Sequence, residues 1–426
     1  MTSIPALPIR PMGAVHATVR PPGSKSITNR ALICAALAAG PSTLHGTLDS
    51  EDTRVMFDAL TALGIALAWS DDRRQIRVAG CGGVWPCRDA DLYVANSGTT
   101  MRFLAPLLAT GTGRYRLDGT PRMRARPIGD LVSTLQQLGV AIESEAHNDC
   151  PPVAITAQRL PGGTATVRGD VSSQFLSGLL LAAPHAQRRV ELLLDGPLVS
   201  QPYVLMTLRV MQAFGVEVLN DRMQRFVVDA PAHYRGCEYP IEPDASAASY
   251  FWAAAAITGG QITVTGLGPQ ALQGDVAFCD CLEDMGCHVR RDAEQITVTG
   301  GPLQGIQADM NHISDTVQTL AAVALFASGP TTITGVAHIR HKETDRIGDL
   351  ARELRKLGAA VEELPDGLRI TPGPLRGTRI STYQDHRMAM SLALVGLRVP
   401  GVLIDNPGCT EKTYPDFFAD LESLRR

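Results

Sequence analysis

Five glycines, Gly64, Gly139, Gly215, Gly286 and Gly358, recur at steps of 75, 76, 71 and 72 residues. Each lies between an amphipathic helix pattern and a strand pattern: FDALTALGIALAW, LVSTLQQLGVAIE, LRVMQAFGVEVL, FCDCLEDMGCHV and ARELRKLGAAVEEL. A second pattern fills the gaps. Stretches starting at Pro22 (PGSKSITNRALICAALAAG), Asn96, Ser172, Asp244, Ser314 and Asp385 open on a polar head and continue as small apolar residues. Lacking a polar face, these stretches read as fully buried helices. Repetition at a near-constant period governs the choice of fold. Six units grouped three and three predict an α/β protein of two domains. A sixth glycine would fall near 430, past residue 426, so Phe417–Leu424 reads as a truncated sixth copy. The strand pattern before Pro22 then supplies the missing strand of that sixth copy by returning to the C-terminal half. On that reading the chain crosses between halves near Ser24 and Glu242, giving one lobe of 1–23 plus 243–426 and another of 24–242.

Composition narrows the function. Net charge is −4 and 5% of residues are aromatic, which argues against a nucleic-acid surface built on phosphate contacts and stacking. The apolar stretches fall short of the roughly 20 residues a membrane span needs. No charged segment followed by an apolar one marks the N-terminus as a secretory signal, so a cytoplasmic place is expected. Nine cysteines without metal-ligand spacing predict reduced thiols and no zinc. Of 39 basic residues only four are lysine: Lys25, Lys342, Lys356 and Lys412. Lys356 reads as a solvated helix position, whereas the other three lie in polar, motif-like stretches.

The heads of the buried helices carry the chemistry. Ser, Thr, Asp and Asn there read as N-caps, worth about 1 kcal/mol each, and Asp244 and Ser246 fit that role. Capping leaves Lys25, Arg30, Arg102 and Arg387 unexplained, because cations at a helix N-terminus oppose its dipole. They make sense if an anion binds between them, on helix starts that already favour negative charge. Within PRMRARPIGD, Arg122 and Arg124 read as solvated, and Arg126 as the residue that meets a carboxylate or phosphate. In HIRHKETDRIGDL, Glu343 is either an ion-pair partner of Lys342 and Arg346 or an acid/base group tuned by them. Asp315 is either an N-cap or a general base. No G-x-S-x-G, HExxH, Walker A or GxGxxG string is present, so hydrolase, metalloprotease, kinase and dehydrogenase readings have no support.

Taken together, PGSKSITNRA, NSGTTMR, RPIGDL, VSSQF, PDASAASYF, DMNHISDT, KETDRI, DHRMAM and CTEKTYPDFF resemble the 5-enolpyruvylshikimate-3-phosphate synthase family, in order over essentially the whole chain. The resemblance implies the two-domain enolpyruvyl transferase fold, each domain three βαβαββ units about a pseudo-threefold axis with helix N-termini facing the interdomain cleft. It implies transfer of the enolpyruvyl group of phosphoenolpyruvate to the 5-hydroxyl of shikimate 3-phosphate through a tetrahedral ketal. By motif, Ser26, Arg30, Ser172, Ser173, Ser200, Tyr203 and Lys342 would hold shikimate 3-phosphate, with Gln174 between the substrates. Lys25, Gly98, Arg126, Arg346, Arg387 and Lys412 would hold phosphoenolpyruvate. Asp315 would be the base for the 5-hydroxyl, and Glu343, with Lys25, the proton source for the methylene carbon. No cofactor and no metal is implied; the partners are the two metabolites, with no nucleic acid or membrane, and the chain is expected to act as a monomer. The two substrates bring about four to five negative charges into one place, which predicts domain closure on shikimate 3-phosphate, visible as a fall in radius of gyration by small-angle scattering.

Some positions depart from the best-studied members. Phe103 stands in place of proline, Ser97 and Thr100 in place of alanines, and His338 in place of an asparagine that touches the shikimate phosphate. Gly98 is kept and leaves room for glyphosate, so inhibition at ordinary concentrations is expected. Among rivals, UDP-N-acetylglucosamine enolpyruvyl transferase lacks support because Lys25 is followed by Ser26 and Cys150 has no counterpart there. An RNA 3′-phosphate cyclase would need a basic RNA face. A non-catalytic anion-binding relative would be expected to lose Lys25, Asp315, Glu343 or Lys412, all of which are present.

Overall fold

A computed structural model describes residues 6–425. The chain divides into two compact units: Gly23–Ile241, and the stretch up to Pro22 together with Glu242–Arg426.

In the first of these, the middle repeat shows the plan. Strand Asp89–Tyr93, helix Gly98–Leu108, strand Thr112–Asp118, helix Gly129–Gln137 and the hairpin of Ala141–Ser144 with Val153–Gln158 follow one another. The first two strands are parallel, as a helical crossover requires, and Val153–Gln158 pairs antiparallel with both Thr112–Asp118 and Ala141–Ser144. The third repeat has the same order, built from Gly163–Arg168, Val190–Asp195, Arg225–Val228 and Leu219–Asp221. The first repeat takes its parallel edge strand from far along the chain: Glu238–Pro240 lies beside Pro41–His45.

The other unit mirrors this borrowing. His16–Val19 lies parallel to Gln261–Thr265, in the sheet that belongs to helix Ala245–Thr258. Two strands have therefore been traded: each precedes one helix in sequence and joins the sheet of the other. The last repeat departs from the βαβαββ plan. Its sheet holds Arg379–Ile380, Leu403–Ile404 and, antiparallel to the latter, Leu7–Pro8. That N-terminal strand occupies the place the returning hairpin strand holds in the other five sheets.

The five periodic glycines all have positive φ, between +84° and +111°. Each sits at or just past the end of an amphipathic helix, where a side chain would strain the turn into the next strand. The apolar helices are buried along their length, completely so for Gly98–Leu108 and Ala245–Thr258. Small residues let them approach closely: a Cβ on Gly178 would lie 2.4 Å from the Arg102 carbonyl oxygen. In the Glu242–Arg426 unit a chain of hydroxyls, Ser249 to Thr319 to Ser391 at 3.2 Å each, joins the three buried helices. Among the described residues no helix is long and apolar enough to cross a membrane.

Candidate functional site

In the Gly23–Ile241 unit the polar heads gather basic groups. Ser24 caps helix Lys25–Leu37 by accepting from the Ile27 amide. One turn on, Arg30 is 2% exposed and is held by neutral groups. Its Nε donates to Thr207 Oγ1 at 2.7 Å, Nη1 to the Ser26 carbonyl at 2.9 Å and Nη2 to the Tyr203 carbonyl at 3.1 Å. The guanidinium also lies over the Phe103 ring, 5.1 Å from its centroid. Burial without a carboxylate pushes its pKa down to about 10. Phe103, one of the departures from the family pattern, is thus packed against a proposed ligand of shikimate 3-phosphate.

Beside it, Arg126 donates through Nη1 to the carbonyl and side-chain oxygens of Asn96. Arg102 donates to the carbonyls of Gly98 and Pro127. A Cβ on Gly98 would lie 2.4 Å from Arg126 Nη2 and 2.8 Å from Arg102 Nη1, so only glycine leaves these two guanidiniums where they are. Gln174, in the first turn of helix Ser173–Ala182, donates to Thr99 at 3.2 Å, and Ser172 caps that helix. Ser200 is buried with φ +54° at the start of helix Gln201–Ala213, which carries Tyr203. Lys25 pairs with Asp52 at 3.3 Å. Arg124 is bonded through two nitrogens to Asp118, while Arg126 is 3% exposed.

In the Glu242–Arg426 unit the cations are interleaved with carboxylates. Arg346, 1% exposed, is the hub. Its Nε and Nη2 donate side-on to Asp385 at 2.7 and 3.1 Å, Nη2 also reaches Glu343 at 2.8 Å, and Nη1 reaches Asp315 at 3.3 Å. Asp315 accepts from Arg387 Nη2 at 2.7 Å and lies 3.8 Å from Lys342 Nζ, and Glu343 lies 3.9 Å from Lys412 Nζ. Burial opposes the charge on Arg346, but Asp385, Glu343 and Asp315 together more than offset it and raise its pKa. His338, 7% exposed, is pushed down to about 4, by burial first and Lys342 second. Burial lifts the Tyr250 phenol, which faces Arg387, to about 12.

The alternatives left open by sequence divide here. Asp244 is a cap, accepting from the Ala247 amide at 2.9 Å. Asp315 is not: the N-cap of Val317–Ala324 is Thr316, and the Asp315 carboxylate turns to Arg387, Arg346 and Lys342. Sequence reasoning missed Asp385 and Asp52 as ion-pair partners, and Thr207. Asp385 carried a visible signal, since an acidic residue opening an apolar helix marks a cap, and it does accept from the Arg387 amide at 2.9 Å. Its second engagement with Arg346 has no signature in sequence. Asp52 stands beside Glu51 as an ordinary first-turn acid, and Thr207 sits mid-helix.

Comparisons with known proteins give the fold and the family. A structure of the enolpyruvyl transferase NikO from Streptomyces tendae superposes with a TM-score of 0.80 at 21% identity, covering 99% of this chain and 98% of that one, which establishes the fold. The profile described as EPSP synthase (3-phosphoshikimate 1-carboxyvinyltransferase) matches residues 9–421. The 3-phosphoshikimate 1-carboxyvinyltransferase of Nostoc punctiforme is 50% identical over 406 residues, 95% of each chain. That of Vibrio atlanticus is 45% identical over 98% of this chain and 99% of its own. An EPSP synthase structure from Acinetobacter baumannii superposes with a TM-score of 0.81 at 25% identity, covering 99% and 98% of the two chains. The chain belongs to the EPSP synthase family.

Proposed function

We propose that this chain transfers the enolpyruvyl group of phosphoenolpyruvate to the 5-hydroxyl of shikimate 3-phosphate and releases phosphate. The observation that carries the reading is the network in which Asp315 and Glu343 are each held by two or more of Lys342, Arg346, Arg387 and Lys412. Carboxylates and cations in such contact can exchange partners with an incoming anion, and the displaced carboxylates are then available for proton transfer.

In this reading Ser26, Arg30, Ser172, Ser173, Ser200, Tyr203 and Lys342 hold shikimate 3-phosphate, and Gln174 lies between the substrates. Lys25, Gly98, Arg126, Arg346, Arg387 and Lys412 hold phosphoenolpyruvate. Asp315 takes the proton of the 5-hydroxyl as its oxygen attacks the substituted vinyl carbon, and Glu343, with Lys25, delivers a proton to the methylene carbon. A proton is then removed from the resulting methyl group as the carbon–oxygen bond to phosphate breaks, restoring the double bond and expelling phosphate. Planar guanidiniums suit both carboxylate and phosphate, and the fixed cations stabilise the departing dianion without a metal. The reaction is assigned to a monomer in the cytoplasm. Phosphate release is measured with phosphoenolpyruvate and either shikimate 3-phosphate or UDP-N-acetylglucosamine as acceptor. Release with the first alone is the expected result; release with the second, or with neither, overturns the reading.

A further inference from the structure

Asp52 is a carboxylate among the cations of the Gly23–Ile241 unit. It is 2% exposed, and Lys25 Nζ lies 3.3 Å from its Oδ2. Helix Glu51–Ala62, on which it sits, does not need it. Ser50 and Thr53 already form a reciprocal capping box, and Glu51, exposed in the same first turn, supplies the negative charge that a helix start favours. A buried carboxylate loses hydration that Glu51 keeps, and in a cluster meant for anions it also weakens the field. Arg30, on the same helix as Lys25, is held differently, by the Thr207 hydroxyl and the carbonyls of Ser26 and Tyr203. Lysine carries its one nitrogen on a flexible four-carbon stem, without the pre-organised fork of arginine, so a charged partner matters more to where that nitrogen sits.

We propose that Asp52 is a positioning residue for enolpyruvyl transfer: it holds the Lys25 side chain in one rotamer where the donor phosphate arrives and a proton is passed. This rests on the role given to Lys25 above. The pair joins two elements, since Lys25 opens one helix and Asp52 opens the next, so the ammonium is set by the repeat's own packing.

The test compares the unmodified chain with Asp52→Asn and, in the same turn, Glu51→Gln. Asp52→Asn is expected to lower kcat/KM for phosphoenolpyruvate about 100-fold, the scale on which misplacing a catalytic group acts, while KM for shikimate 3-phosphate changes less than about twofold. Glu51→Gln is expected to stay within about twofold on every constant. Unchanged kinetics for Asp52→Asn, or equal losses toward both substrates, overturns the proposal. Absence of transfer by the unmodified chain instead overturns the functional reading. Should Asp52→Asn fail to fold, the unmodified chain still answers. With four lysines, 15N-lysine labelling gives four ammonium signals; that of Lys25 must exchange with water far more slowly than that of half-buried Lys356, and equal exchange rules the fixed ammonium out.

Discussion

Arg30 and Arg346 are both buried guanidiniums near the heads of apolar helices, one in each unit, and they are held in opposite ways. Arg30 is fastened by a hydroxyl, two carbonyls and an aromatic face, and burial lowers its pKa. Arg346 is fastened by three carboxylates, and they raise it. The first arrangement keeps a cation's attraction undiminished for a ligand, at a cost to folding. The second makes folding tolerate the charge but leaves a ligand to exchange with carboxylates already in place. Arg30 thus offers its charge against neutral partners, whereas Arg346 already shares its own with three carboxylates.

The largest expected effect tests whether those carboxylates are more than counter-ions. Asp315→Asn keeps the shape and one acceptor; if the carboxylate is the base proposed for the 5-hydroxyl, kcat falls by about a thousandfold in the phosphate-release assay. A loss of only a fewfold would reduce Asp315 to a partner of Arg387. Next comes stability. Arg346→Met strands three carboxylates and is expected to cost about 3–5 kcal/mol by urea unfolding, whereas Arg30→Met leaves only neutral acceptors unpaired and costs about 1–2 kcal/mol. Equal losses would erase the contrast.

Acid response sharpens it further. His338, in the unit of Arg346, has a folded-state value of about 4, below its ordinary 6.5, so the unfolded chain takes up the proton first as pH falls. Stability is therefore lost between about pH 6.5 and pH 4, and His338→Asn should lose about 2 kcal/mol less than the unmodified chain between pH 7 and pH 5. His185 is the counterpart in the other unit, also pushed down to about 4 by burial, and should retain its own share in that variant. The smallest effect is expected at Gly98→Ala. The new Cβ meets the mobile ends of Arg126 and Arg102, so folding is little affected, while KM for phosphoenolpyruvate rises roughly tenfold and KM for shikimate 3-phosphate hardly moves.

Sequence periodicity carried the α/β class, the repeat and the short last copy, because a glycine that must adopt positive φ and a helix without a polar face leave marks on local composition. Strand trading between the first repeat of each unit was only partly legible: the crossing points could be read, but the partner of Glu238–Pro240 is set by pairing with Pro41–His45, far away in sequence. The basic heads were legible because cations oppose the dipole at a helix start. Glu343 was legible as a partner of Arg346, but two other carboxylates were not. Asp52 and Asp385 look like any first-turn or capping acid, and only packing distinguishes a solvated one from a buried one.

The early strand His16–Val19 has its partner at Gln261–Thr265. On a ribosome adding about 5–20 residues per second, that partner is made some 245 residues afterwards, tens of seconds in the slower case. Until then the opening segment has no sheet to join, while the Gly23–Ile241 unit can complete all three of its own. During synthesis the Gly23–Ile241 unit can therefore close first, and His16–Val19 is gathered into its sheet only afterwards.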